Sequence, residues 1–288
     1  MLSLKKILLP VDYPHTALPV IHQAAFLARH FHSEILMLHV LTPRSREAGF
    51  PPLSQIPPGW NLLEQILQVA EKNGDASLRP ALAGLSLRSQ LLDGEAADAI
   101  MESADREHSD LIMMASHGSA FDHFLMGSVP AKVLYATNCP VWTGGHIPPP
   151  SPREFAIRSV LCAVDFRPHN RKTVTWAAQL AAEFGARLTL AYVTAPVESW
   201  GPGGDYADPV WQKELVGDAT GHMADLQKEM GTHAEVFIAS GNIPKALSQG
   251  AQQSAADLLV TGFQPYGGYL KTHGYDVICA LSIPVLSI

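Results

Sequence analysis

The sequence predicts an α/β protein made of two tandem copies of one open, mostly parallel five-stranded sheet with helices on both faces. Three observations carry this. Short apolar runs alternate with helix-length stretches along the whole chain, which is the signature of parallel strands joined by right-handed crossovers. The opening run KILLPVD, ending at Asp12, returns 153 residues later as SVLCAVD, ending at Asp165. Each run is followed by a Pro-His pair (Pro14-His15, Pro168-His169) and an Ala-rich stretch. Finally, 288 residues at 47% hydrophobic and 16% charged suit two domains of ordinary size, each with its own core.

In the first half, residues 7–11 read as a buried strand, 16–31 as a helix carrying Ala24, Ala25, Leu27 and Ala28, and 35–40 as the next strand. Residues 44–60 hold Pro51-Pro52 and Pro57-Pro58-Gly59 and read as a loop. Leu62, Leu63, Ile66, Leu67 and Val69 have helical spacing over 61–72. From 73 to 84 the pattern assigns no element, because Pro80 interrupts any single long helix. A strand over 85–92, a helix over 96–107, a strand over 111–115, a helix over 129–136 and a last strand over 140–143 complete the copy. The second half repeats the order. Strands fall at 160–164, 188–193, 234–239, 258–261 and 284–288, and helices at 173–184, 244–253 and a segment ending at Met230. A Gly/Pro loop covers 196–209. Domain boundaries are expected at 1–143 and 158–288, with 144–157 as a stiff Pro/Gly-rich linker.

A formal charge of −7 argues against a nucleic-acid partner, which needs clustered Lys and Arg. No apolar stretch reaches the roughly 20 residues that span a bilayer, so no membrane partner is expected. The first apolar run ends at Val11 with Asp12 next, and lacks the cleavage site of a signal peptide. Cys139, Cys162 and Cys279 have no metal-ligand spacing, and their surroundings suit buried thiols in a reducing cytoplasm. Of thirteen histidines, His15, His22, His30, His32 and His39 are scattered without a dense ligand spacing, so no metal site is expected.

Ligands of open parallel sheets bind beyond the carboxyl ends of the strands, where chain order reverses. Asp12 sits at that edge. Its carboxylate can accept hydrogen bonds from a ribose hydroxyl or an adenine amino group, although an Asp there is more often a turn or cap residue. The segment from Ala115 to Val129, ASHGSAFDHFLMGSV, runs from the fourth strand through a Gly-containing loop to a helix start. Bare N–H groups at such a start, with the positive end of the helix dipole, suit a phosphate, and Ser128 can both cap the helix and bond a phosphate oxygen. Pro130 removes one donor from that turn. His117 and His123 flank the loop, where a contact with a nucleotide competes with the commoner role of a solvated bystander.

Taken in order, these segments resemble two tandem copies of the universal stress protein domain. The matching segments in copy one are the strand ending in Pro10-Val11-Asp12, Gly94 with Ile100, DLIMMASHG from Asp110 to Gly118, Gly127-Ser128 and the closing Cys139-Pro140-Val141. In copy two they are Val164-Asp165, GNIPKAL from Gly241 to Leu247, DLLVTG from Asp257 to Gly262, and Ile283-Pro284-Val285. The resemblance implies an adenine nucleotide alpha hydrolase-like fold, with the closing strands of the copies paired as an intramolecular pseudo-dimer. One branch of the family binds ATP through Gly-x-x-Gly, nine residues and Gly-Ser or Gly-Thr. Carried over, the strand end Pro10, Val11 and Asp12 would meet ribose or adenine. Val40 and Met114 would line the adenine pocket, and His117, Gly118, Gly127, Ser128 and Val129 would lie at the phosphates. Phe121 stands where a second loop glycine is expected, and Gly118 to Gly127 is one residue short. In copy two, Pro265 replaces Gly118 and Tyr275 replaces Ser128, so that site is expected to be degenerate.

The resemblance thus implies a cytoplasmic stress-response protein whose first copy binds ATP or AMP as a regulatory ligand, with Mg only through the phosphates. The alternative is a stress scaffold without nucleotide, acting through protein partners or as a homo-oligomer, with the Pro-rich loops as contacts. No dedicated catalytic base is legible, so turnover is not expected; slow ATP hydrolysis stays open as a third reading.

Overall fold

The computed structural model describes residues 2–12, 14–43, 53–57, 59–115, 129–144, 155–167, 170–194, 199–201, 204–206, 209–262 and 274–288. From Ser3 onward the chain divides into two compact units, Ser3–Phe155 and Ala156–Ile288, called domains one and two.

Domain one runs β1 (Lys6–Pro10), α1 (Pro14–Phe31), β2 (Glu34–Leu41), a 3-10 turn at Leu53–Gln55, α2 (Leu62–Lys72), α3 (Leu78–Leu82), β3 (Ser86–Asp93), α4 (Ala96–Glu107), β4 (Leu111–Ala115), α5 (Val129–Ala136) and β5 (Val141–Gly144). Its strands lie in the order β5-β4-β1-β2-β3 and every pairing is parallel. Domain two runs β6 (Ser159–Val164), α6 (Asn170–Phe184), β7 (Arg187–Thr194), β8 (Ser199–Gly201), β9 (Gly204–Tyr206), α7 (Pro209–Met230), β10 (Glu235–Ser240), α8 (Ile243–Gln253), β11 (Leu258–Thr261), α9 (Gly274–Ala280) and β12 (Val285–Ser287). Its main sheet has the matching parallel order β12-β11-β6-β7-β10.

The central strands are apolar because helices cover both of their faces. Ile7, Leu8 and Leu9 of β1, and Val160, Leu161 and Cys162 of β6, are fully buried. Burial pushes the Cys162 thiol up to about 12, so it behaves as a small apolar side chain. The duplication is exact enough to repeat backbone exceptions. The helix stop before β2 puts His32 at φ 55°, and Gly185 holds the same place at φ 62°; His108 at φ 52° is answered by Ala255 at φ 46°. Gly94 and Gly241 carry φ 146° and 110°, where an L side chain is strained, and their N–H groups bond Leu41 and Thr194 carbonyls at 3.1 Å each.

Three elements depart from the sequence expectation. The unassigned stretch 73–84 holds the short helix α3, with Leu78 and Leu82 buried. Pro80 is tolerated there because it is the third helical residue, where the N–H has no intrahelical partner. The supposed loop at 196–209 contains the antiparallel pair β8–β9, and the breaker-like Gly201 and Gly204 are its paired inner ends. Helix α9 has no counterpart in the sequence expectation.

Candidate functional site

Strand β1 is the point where chain order reverses in domain one: β2 lies on one side of it and β4 on the other. Beyond the carboxyl ends of these strands is a cavity of about 390 Å³, within the range of small-molecule sites. Pro10, Val11 and Asp12 form its floor and rim. Leu38 and Val40 line it from β2, Thr42 and Pro43 from just beyond that strand, and Met114 and Ala115 from β4. Glu95, Ala96 and Ile100 come from the start of α4, and Val129, Pro130 and Lys132 from the start of α5. Val11, Val40 and Met114 are buried, giving apolar walls, whereas Asp12, Glu95 and Lys132 are exposed at the mouth.

Six predicted positions, Pro10, Val11, Asp12, Val40, Met114 and Val129, therefore meet in one cavity although they are spread over four segments. His117, Gly118, Gly127 and Ser128 lie outside the described residues. Since β4 ends at Ala115 on the cavity wall, the strand leads into Ala115-Ser-His-Gly118. Eight residues separate Gly118 from Gly127, one fewer than the nine of the family pattern.

Two backbone features set the strand end. The Val11 N–H bonds the Leu38 carbonyl at 2.8 Å, continuing the β1–β2 ladder. The buried His39 ring donates from Nδ1 to the Val11 carbonyl, 2.6 Å away. With both backbone groups of Val11 tied to β2, Asp12 is presented at the rim, and among the described residues its carboxylate has no hydrogen-bond or ion-pair partner. Two helix starts also face the cavity. Glu95 is the N-cap of α4 but makes no side-chain cap bond, and Val129 opens α5. Each start presents backbone N–H groups and a partial positive charge. Glu95 reaches across instead to Lys132, whose ammonium is 3.5 Å from its carboxylate. No sequence pattern marks Glu95 or Lys132, which stand 37 positions apart and meet only because α4 and α5 begin side by side.

A different job falls to Asp110, which the sequence placed in the family motif. It stands at the opposite end of the sheet and accepts the Lys5 and Lys6 backbone N–H groups at 2.7 and 2.9 Å. Asp257 does the same for Arg158 and Ser159, at 2.7 and 3.0 Å.

The universal stress protein family model matches residues 3–143 and again 156–272. The chain belongs to the universal stress protein family. A universal stress protein of Methanocaldococcus jannaschii is 27% identical over 143 residues, which is 48% of this chain and 79% of that protein. Two solved structures are similar over 99% of the chain. One is a universal stress protein of Archaeoglobus fulgidus (TM-score 0.65, 21% identity, 96% of that chain). The other is one of Pseudomonas aeruginosa (TM-score 0.65, 16% identity, 93% of that chain). At these identities the structures speak for a shared tandem fold.

The second universal stress protein domain handles the equivalent positions differently. Asp165 accepts the Arg167 N–H at 3.2 Å and lies 3.7 Å from the Arg167 guanidinium. Its own N–H bonds the Asn170 side chain at 3.3 Å. Asn242, at the place of Glu95, caps α8 by accepting the Lys245 N–H at 3.1 Å. Asp276 stands where Lys132 stands in domain one, because each lies the same distance before the Pro-Val of its closing strand (Pro140-Val141, Pro284-Val285). Burial and the Asp276 carboxylate push the Cys279 thiol up, which marks an electronegative setting. Among the described residues of the whole chain, no three His, Cys, Asp or Glu side chains gather to hold a metal ion, and no helix is long and apolar enough to cross a membrane.

Proposed function

We propose that domain one binds an adenine nucleotide, ATP or AMP, as a ligand that sets the state of a stress-response protein, and that domain two does not. The observation that carries this is Asp12. Its carboxylate, without a partner among the described residues, stands at the mouth of an apolar-walled cavity into which two helix N-termini open. A carboxylate at such a rim takes the ribose hydroxyls or the adenine amino group; Val40 and Met114 supply flat apolar contact for the base. The start of α5, with Gly118, Gly127 and Ser128 leading into it, offers N–H groups to phosphate. Mg would be held by the phosphates alone. In domain two Asp165 is spent on its own turn, and Asp276 puts a negative charge in the first turn of α9, where a phosphate would be repelled.

A ligand that binds only the folded form at a hundredfold over its Kd stabilises it by about 2.7 kcal/mol, so ATP or AMP should raise the melting temperature by roughly 5–10 °C. Asp12→Ala should remove most of that rise, and Asp165→Ala should leave it. A wild-type protein that shows no shift with ATP, AMP or adenosine favours the scaffold that acts through protein partners.

A further inference from the structure

We propose that Lys132 reads the phosphate charge of the ligand and that Glu95 competes for it, so the pair sets how strongly domain one prefers a phosphorylated adenosine. This rests on the nucleotide reading above and adds the residues that discriminate within it. Three observations support it. Lys132 is the fourth residue of α5, and helical side chains tilt toward the N-terminus, which carries its ammonium back over the first turn. Glu95 leaves its own helix uncapped and pairs with Lys132 at 3.5 Å, whereas Asn242 in the same position of domain two caps its helix. Both side chains line the cavity and are half or more exposed, 50% for Lys132 and 63% for Glu95, so the pair is weak and easily surrendered.

A phosphate at the start of α5 offers the ammonium a denser negative charge than Glu95 does, together with the helix dipole. Lys132 then swings from carboxylate to phosphate. The Glu95 carboxylate, left beside that anion, opposes it. Glu95 thereby holds down affinity in proportion to ligand charge, while Lys132 raises it.

Affinities of adenosine, AMP and ATP for the full chain decide this, measured by calorimetry at low and high salt in wild type, Lys132→Ala and Glu95→Ala. Lys132→Ala should weaken AMP and ATP about tenfold or more, the size of one charge-assisted hydrogen bond, and leave adenosine within about twofold. Glu95→Ala should tighten ATP several-fold, AMP less and adenosine not at all, and both effects should shrink as salt screens the charges. Adenosine losing as much as ATP in Lys132→Ala, or ATP affinity unmoved in Glu95→Ala, overturns the proposal while the nucleotide reading stands. None of the three ligands binding wild type overturns both. Because both side chains are exposed, the melting temperatures of the variants should match wild type, which separates charge reading from misfolding.

Discussion

The two domains keep one pair of acids in the same work and set the other pair to different work. Asp110 and Asp257, at the amino ends of their sheets, each hold two consecutive backbone N–H groups at the entry to the first strand, with distances that agree within about 0.1 Å. Asp12 and Asp165 sit at the other end, 153 residues apart like their strands, yet Asp165 closes its own turn with Arg167 while Asp12 faces a cavity. A duplicated fold needs its staples in both copies. Its ligand edge is under no such requirement, since the sheet stays intact whichever way that carboxylate turns.

The contrast at the helix starts gives the largest expected effect. Lys132→Asp writes the residue of domain two, Asp276, into domain one. Like charges brought together cost several kcal/mol, so ATP affinity should fall by about a hundredfold or more. The same titration with adenosine should change little, and an equal loss for adenosine would mean that the first turn of α5 shapes the base pocket instead.

Next in size is an exchange of stability for binding. Asp165→Ala removes two contacts to a charged carboxylate and should lower unfolding stability by about 1–3 kcal/mol, seen in urea melts. Asp12→Ala removes no contact seen among the described residues and should change stability by no more than about 0.5 kcal/mol. Reversal of that order would show that Asp12 is the structural acid.

The smallest effect is a pH dependence confined to domain one. His22 of α1 and Asp75, just beyond α2, are both largely buried and 2.7 Å apart; Thr175 stands where the repeat would place a second His22. Burial pushes the Asp75 carboxyl up, but hydrogen bonds from Ser77 and His22 outweigh it and hold it below the ordinary carboxylate value. A lowered folded pKa contributes stability above the unfolded value near 3.9, and that stability is lost as pH falls through the folded value. Acid unfolding followed by tryptophan fluorescence below about pH 4 should therefore be less steep in Asp75→Asn than in wild type.

Much of this architecture was legible because it depends on local pattern. Buried parallel strands read as unbroken apolar runs, and the recurrence of KILLPVD as SVLCAVD shows the duplication directly. α3 escaped because Pro80 looks like a breaker unless the helix is known to begin at Leu78, and β8–β9 because glycines that end paired strands resemble loop residues. At the site, Asp12 could be found because it follows a strand end, which is visible in sequence, whereas Val40 and Met114 were implied by the family resemblance. The Glu95–Lys132 pair could not, since nothing in either helix alone reports that the two starts adjoin. The different fates of Asp12 and Asp165 were equally hidden, as both follow the same kind of strand and only Arg167 turning back on Asp165 separates them.

Binding stoichiometry tests the central claim most directly. Titration of the full chain with ATP by calorimetry should give one site per chain, lost in Asp12→Ala and kept in Asp165→Ala. Two sites per chain, or one site that survives Asp12→Ala and disappears in Asp165→Ala, would contradict the assignment of the ligand to domain one.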